Sequence, residues 1–214
     1  MFELFTQYAR KTVESAEIFS QMWRHNKIGT GHLLAAFLSD DAVSPLYRVL
    51  RDQGVARVDV YEKVGELYKA QNSSSFPGFR SFTPEAKDTL RDAADVANDF
   101  GHTWVWPAHI FASMLRRSCT AVYVLESVGV HDIGWLSEQV VPLMQASPNV
   151  RLDEGAERIV MVLQSLYSVT PDALEGIVIK LVDLDEGSPE YHLELARFYE
   201  RQARRMRKLA KSAT

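Results

Sequence analysis

The chain repeats itself, and this constrains its fold more than any single motif does. Sliding the 214-residue sequence by 77 positions lays Phe2-x-x-Phe5-Thr6-x-x-Ala9 over Phe79-x-x-Phe82-Thr83-x-x-Ala86. Thr12 then falls on Thr89, Ala16 on Ala93, His25 on His102, His32 on His109, Ala35 on Ala112 and Leu38 on Leu115. Further on the offset drops to 75, where Val49-Leu50-x-x-x-Gly54-Val55 meets Val124-Leu125-x-x-x-Gly129-Val130, a gap that a surface turn tolerates. We read repeat one over 1–70, an exposed linker over 71–81 and repeat two over 82–146, together one double domain over 1–146. The linker reading rests on Asn72-Ser-Ser-Ser-Phe-Pro-Gly78, whose serines, proline and glycine neither pack nor favour helix or sheet.

Each copy reads as helical. Phe5, Ala9, Val13, Ala16 and Phe19 fall at helical spacing, and Phe82, Ala86, Leu90, Ala93 and Ala97 repeat the stripe. Thr83-Pro84 is a helix start, because the hydroxyl caps free N–H groups and proline sits where its missing N–H costs nothing. Ser44-Pro45 reuses the device. Short helices are expected around 32–38 and 46–51, the second closed by Gly54, with a last one near 60–70. Four helices per copy result.

After Ser147-Pro148 no repeat is visible, and 147–214 reads as a helical C-terminal extension. Ile159, Val160, Leu163, Leu166 and Tyr167 form one stripe, and Leu174, Ile177, Val178, Leu181 and Val182 a second. The last twenty residues hold seven Lys or Arg against one acid, which leaves 1–194 with a net charge of −10 within a total of −4. That basic face either complements the acidic remainder or meets an anionic partner through Arg201, Arg204, Arg205 and Lys208. With the overall charge negative, nucleic acid is disfavoured as a partner. The single cysteine, Cys119, cannot form an internal disulfide, the first residues lack a secretory pattern, and no apolar run is long enough to span a membrane. A reducing cytoplasm is the simplest home, with no membrane attachment.

The ordered set Phe-x-x-Phe-Thr-x-x-Ala, continued by Arg10 or Lys87 and by two histidines seven residues apart, resembles the double Clp-N domain of ClpC and ClpA unfoldases over roughly 1–146. The resemblance implies an all-α fold: a pseudo-twofold tandem of two four-helix repeats, with the extension appended. It also implies a receiving domain that docks adaptors, degradation substrates and, in some members, cyclic peptide antibiotics. The binding surface would lie between the repeats, at the starts of their first helices, where Phe2, Phe5, Phe79 and Phe82 cluster with Thr6, Thr83, Arg10 and Lys87. Aromatic side chains anchor interfaces, and a helix start beside a cation suits an anion. The plainer reading, favoured for Phe5 and Phe82, makes these two core residues and Arg10 and Lys87 a solvated face.

Departures from the family matter. No Gly-Lys pair exists to build the phosphate loop of an ATPase, so the reading is of a non-catalytic protein with no cofactor: an adaptor, competitor or sink for peptide and protein clients. Family members that recognise phosphoarginine read Gly-Thr-Glu-His in each repeat. This chain has Gly29-Thr30-Gly31-His32 and Trp106-Pro107-Ala108-His109, so both carboxylates are missing and phosphoarginine capture should be weak, shifting preference toward anions or apolar peptides.

The histidine pairs invite a metal reading, but Gly29 and Pro107 break any helix that would align them, and buried histidines donating to backbone carbonyls are favoured instead. Asp183-x-Asp185-x-Gly187 is a turn rather than a calcium loop, and Cys119 a structural thiol rather than a nucleophile. Two alternatives stay open. In one the cleft is vestigial and the extension carries a structural or regulatory role; in the other the chain docks on an intact Clp unfoldase. Oligomeric state is not readable.

Overall fold

The computed structural model describes residues 2–39, 44–67, 80–152, 156–158, 160 and 161. Repeat one supplies α1 (Gln7–Met22), α2 (Thr30–Phe37), α3 (Pro45–Asp52) and α4 (Arg57–Leu67). Repeat two supplies α5 (Pro84–Asp99), α6 (Pro107–Leu115), α7 (Thr120–Ser127) and α8 (Ile133–Gln145). The fold is all-α, with four helices in each repeat as the duplicated pattern implies.

Local chemistry explains the helix starts. Thr6 and Thr83 cap α1 and α5 through hydroxyls that accept from Ala9 N–H at 3.3 Å and Ala86 N–H at 3.2 Å. The Ser44 hydroxyl caps α3 by accepting from Tyr47 N–H, and the Asp132 carboxylate caps α8 by accepting from Trp135 N–H. Gly54 and Gly129 follow α3 and α7 with φ of 79° and 101°, the left-handed region that glycine enters without a Cβ clash.

Two helices form the centre. Every residue of α2 and of α6 is buried, so their sequences lack a polar face, as expected of helices enclosed on all sides. Phe37 at the end of α2 meets Phe111 of α6 edge to face, with ring centroids 5.3 Å apart. The long amphipathic helices pack outside them, α1 burying Ala9, Val13 and Ala16 and α5 burying Ala86, Leu90, Ala93 and Ala97.

The repeats exchange backbone pairing, which helical periodicity did not foretell. The short strands β1 (Lys27–Ile28) and β2 (Ser81–Phe82) lie parallel, with Ile28 opposite Phe82. A single bridge joins Phe5 to Val105, the pseudo-symmetric equivalent. Thr83 N–H donates to the Ile28 carbonyl at 2.8 Å, and Thr6 N–H to the Val105 carbonyl at 3.1 Å. The lead into each first helix is thereby sewn to the loop before the other repeat's second helix. Arg80 and Ser81, placed in the linker by composition, are held by this pairing; 71–79, which includes Phe79, lie outside the described residues.

The start of the extension packs on repeat two. Trp106 indole N–H donates to the Pro148 carbonyl at 3.0 Å, Asn149 Oδ1 accepts from Thr103 N–H at 2.6 Å, and Asn149 Nδ2 donates to the Gly101 carbonyl at 2.9 Å. Trp106 replaces Gly29 of repeat one, so the bulk that distinguishes the repeats is used to seat the extension. Residues 156–158, 160 and 161 are helical. The stripe residues Ile159, Leu163, Leu166 and Tyr167, the 174–182 stripe, the 183–187 turn and the basic residues Arg201, Arg204, Arg205 and Lys208 lie outside the described residues.

Candidate functional site

The lead into α1 runs against the lead into α5, and a cleft of about 500 Å³ opens beside them. Its lining comes from both repeats: Phe2, Glu3, Arg10, Val13, Glu14 and Glu17 on or before α1, Ile28 in β1, and Arg80 and Phe82 before α5. Half-buried Phe2 bridges the repeats, its ring centroid 5.2 Å from Phe5 and 6.3 Å from Phe82. Phe2, Val13, Ile28 and Phe82 make the apolar wall.

The expected site residues separate into three groups. Phe2, Arg10 and Phe82 line the cleft. Phe5 is a core residue, 3% exposed and packed beneath Phe2, while Thr6 and Thr83 spend their hydroxyls on helix caps. Lys87 is exposed on α5 and does not line the cleft among the described residues, although its counterpart Arg10 does, so the symmetric pair of cations is not a symmetric pair of ligands. Phe79 is outside the described residues.

Six lining residues fall outside the set expected from sequence: Glu3 before α1, Val13, Glu14 and Glu17 on α1, Ile28 in β1 and Arg80 before β2. Arg10, Val13, Glu14 and Glu17 recur at three- and four-residue steps, a helical face visible in the sequence once α1 is known to border a cleft. Ile28 and Arg80 carried no such signal, because β pairing across 54 residues brings them in.

Both guanidinium groups are steered by backbone carbonyls. Arg10 Nη2 donates to the Glu3 carbonyl at 3.3 Å, and Arg80 Nε donates to the His25 carbonyl at 2.5 Å. Three carboxylates, from Glu3, Glu14 and Glu17, share the lining with these two cations. The cleft is therefore apolar with a mixed, slightly acidic margin.

Behind it, each repeat carries a buried histidine pair. Gly29 N–H donates to His32 Nδ1 at 2.9 Å, so the neutral ring carries its proton on Nε2, which faces His25 Nδ1 at 2.8 Å. Repeat two copies this, with Trp106 N–H on His109 Nδ1 at 3.0 Å and His109 Nε2 facing His102 Nδ1 at 3.1 Å. Burial, followed by the neighbouring imidazole, pushes His32 and His109 down to about 3. Burial also lowers His25 and His102. The inner histidines thus accept from backbone N–H groups at the starts of α2 and α6, where donation to carbonyls had been expected. The outer His25 hydrogen-bonds to the backbone of Gly65, as expected of a buried histidine. Among the described residues no group of three or more His, Cys, Asp and Glu could hold a metal ion, and no helix is long and apolar enough to cross a membrane. Cys119 is a buried free thiol at the start of α7.

Two four-helix repeats sewn together through their leads define a double-repeat interaction module. The Clp repeat (R) N-terminal domain matches residues 4–128, and the chain belongs to that family. The chain is 28% identical over 161 residues to an ATP-dependent Clp protease ATP-binding subunit ClpA homolog of Guillardia theta, a match covering 72% of this chain and 19% of that protein. It is 30% identical over 162 residues to the chloroplastic chaperone protein ClpC of Pisum sativum, covering 73% of this chain and 17% of the relative. The chain thus spans less than a fifth of the length of these relatives. Among solved structures, the Hsp104 N-terminal domain from Candida albicans superimposes with a TM-score of 0.57 at 18% identity, covering 74% of this chain and 99% of that one. The N-terminal domain of ClpD from Arabidopsis thaliana gives 0.52 at 20% identity, covering 66% and 97%. At such identities the structural matches establish the fold.

Proposed function

We propose that this protein is a non-catalytic binding protein that captures peptides or degron-bearing proteins in the cleft between its repeats, acting as adaptor, competitor or sink for a Clp unfoldase and its protease. The observation that carries this reading is the cleft of about 500 Å³ walled by Phe2 and Phe82, one from each repeat. An aromatic or aliphatic anchor buried there contributes roughly 1.5–3 kcal/mol toward binding of a short segment. Glu3, Glu14 and Glu17 favour peptides whose apolar anchor is flanked by positive charge, more than the anions suggested by Arg10 and Lys87 alone.

Phosphoarginine is a poor fit. Gly31 and Ala108 are buried where the recognising family members carry glutamate, so no carboxylate from those positions meets a guanidinium. Cyclic apolar peptides fit the same wall.

A peptide array probed with wild-type protein and with a Phe2→Ala/Phe82→Ala variant tests the proposal. Sequences rich in aromatic and basic residues should be retained by the wild type and lost by at least tenfold in the variant. Equal retention by both would refute it, and micromolar binding of a phosphoarginine peptide would refute the stated preference.

A further inference from the structure

We propose a second docking site on the opposite face of α1, specific for a short helical segment that presents one carboxylate followed by apolar residues, and occupied in this chain by its own Ala156, Glu157, Val160 and Met161. This site is separate from the peptide cleft. It starts from Glu157, which is 1% exposed and accepts from Gln7 N–H at 2.9 Å through Oε1 and from Tyr8 N–H at 2.8 Å through Oε2. These are the first two N–H groups of α1; the third, of Ala9, is taken by Thr6. A carboxylate 150 residues away in sequence thus completes the cap and meets the positive end of the helix dipole.

Repeat two cannot build this site. The position matching Gln7 is Pro84, which has no N–H, so the start of α5 offers one donor fewer. Glu85, matching Tyr8, points its own carboxylate away to Thr120, whose Oγ1 donates to Glu85 Oε2 at 3.1 Å. Within a duplicated fold, the carboxylate site belongs to repeat one alone.

Beside the capped helix start lies a groove of about 190 Å³, bordered by Tyr8, Lys11, Thr12 and Ser15 of α1, Phe37 of α2 and Pro107 of α6. Met161 borders it as well and is buried to 5%. Ala156, Glu157, Val160 and Met161 are all buried and stand one, four and five residues along a single helical face, whereas Arg158 is exposed. The segment therefore carries its own recognition pattern: a carboxylate for the helix start and an apolar residue four positions on for the groove. The docked face of α1 (8, 11, 12, 15) and its cleft face (10, 13, 14, 17) are distinct, so the two sites can be filled together.

A tethered segment competes with a free one at an effective concentration in the millimolar range, so an outside helix of the same pattern enters only when the internal one is weakened. The test uses the full chain, a Glu157→Gln variant and a labelled peptide of residues 150–168 as probe. Wild type should exclude the peptide, and the variant should bind it at least tenfold more tightly. A peptide itself carrying Glu157→Gln should lose that gain. A folded variant that takes the peptide no better than wild type would overturn the proposal. Native-state hydrogen exchange on the wild type decides the matter if the variant does not fold. Exchange of the Gln7 and Tyr8 amides through an opening smaller than global unfolding is expected, and exchange only with global unfolding would show a permanent structural contact instead.

Discussion

Arg24 and Gly101 hold the same place in the two repeats, just past the first helix, and both adopt left-handed backbone, with φ of 58° and 73°. Glycine enters that region freely, whereas an arginine Cβ crowds the following carbonyl at a cost of about 1–2 kcal/mol. Glycine returns part of the difference through the freedom it gains in the unfolded chain. Arg24→Gly should therefore stabilise the protein by about 0.5–1 kcal/mol, read as a higher urea midpoint at unchanged slope. An unchanged or lower midpoint would mean that the arginine side chain compensates.

Phe5 and Phe82 match in sequence and differ in burial, so their truncations should differ in kind. Phe5→Ala empties a core position and should cost about 3–5 kcal/mol in denaturant unfolding. Phe82→Ala removes part of the cleft wall and should act chiefly on peptide affinity, with a smaller loss of stability. Similar destabilisation by both would place Phe82 in the core as well.

The inner histidines make the fold acid-sensitive. Each is held neutral when folded, near 3, and titrates at about 6.5 when unfolded, so between those values the unfolded chain binds more protons. Stability from this source is complete above pH 6.5 and falls as pH drops toward 3, by as much as about 1.4 kcal/mol per pH unit for each histidine. Urea midpoints measured from pH 7.5 to 4.5 should fall steadily. His109→Gln, which can still accept from Trp106 N–H, should flatten the slope, and a slope as steep as wild type would assign it to other groups.

Thr6 and Thr83 cap helices whose starts are also paired across the repeats. Thr6→Ala and Thr83→Ala should each cost about 1 kcal/mol, and Ser in either place should restore most of it. Thermal melts of the four variants check this; no loss in Thr83→Ala would mean that Pro84 alone suffices to start α5.

Much of this was legible from spacing. Thr-Pro and Ser-Pro mark the starts of α5 and α3, Gly54 marks the end of α3, and the 77-residue offset matches Thr6 to Thr83 and His32 to His109. The cleft was legible in part: Phe2, Arg10 and Phe82 line it, while Thr6 and Thr83 turned inward to their own backbones. A threonine ahead of a helix reads the same whether its hydroxyl meets a ligand or caps the helix. The histidines showed a similar limit, since a spacing of seven gives no hint that one ring will accept from the backbone and donate to the other.

By itself, the amino-acid sequence determined the duplicated unit, four helices in each copy and the helix starts at Thr83-Pro84 and Ser44-Pro45, because helical periodicity, hydroxyl caps and glycine turns act over a few neighbouring residues. The tertiary structure alone decided which matched residues face a cleft and which the core, and which distant groups complete a helix end. Phe5 is covered while Phe2 is not because Val105, a hundred residues on, pairs with the Phe5 backbone. Glu157 caps α1 because the chain folds back across 150 positions, and a contact of that range leaves no period in the sequence.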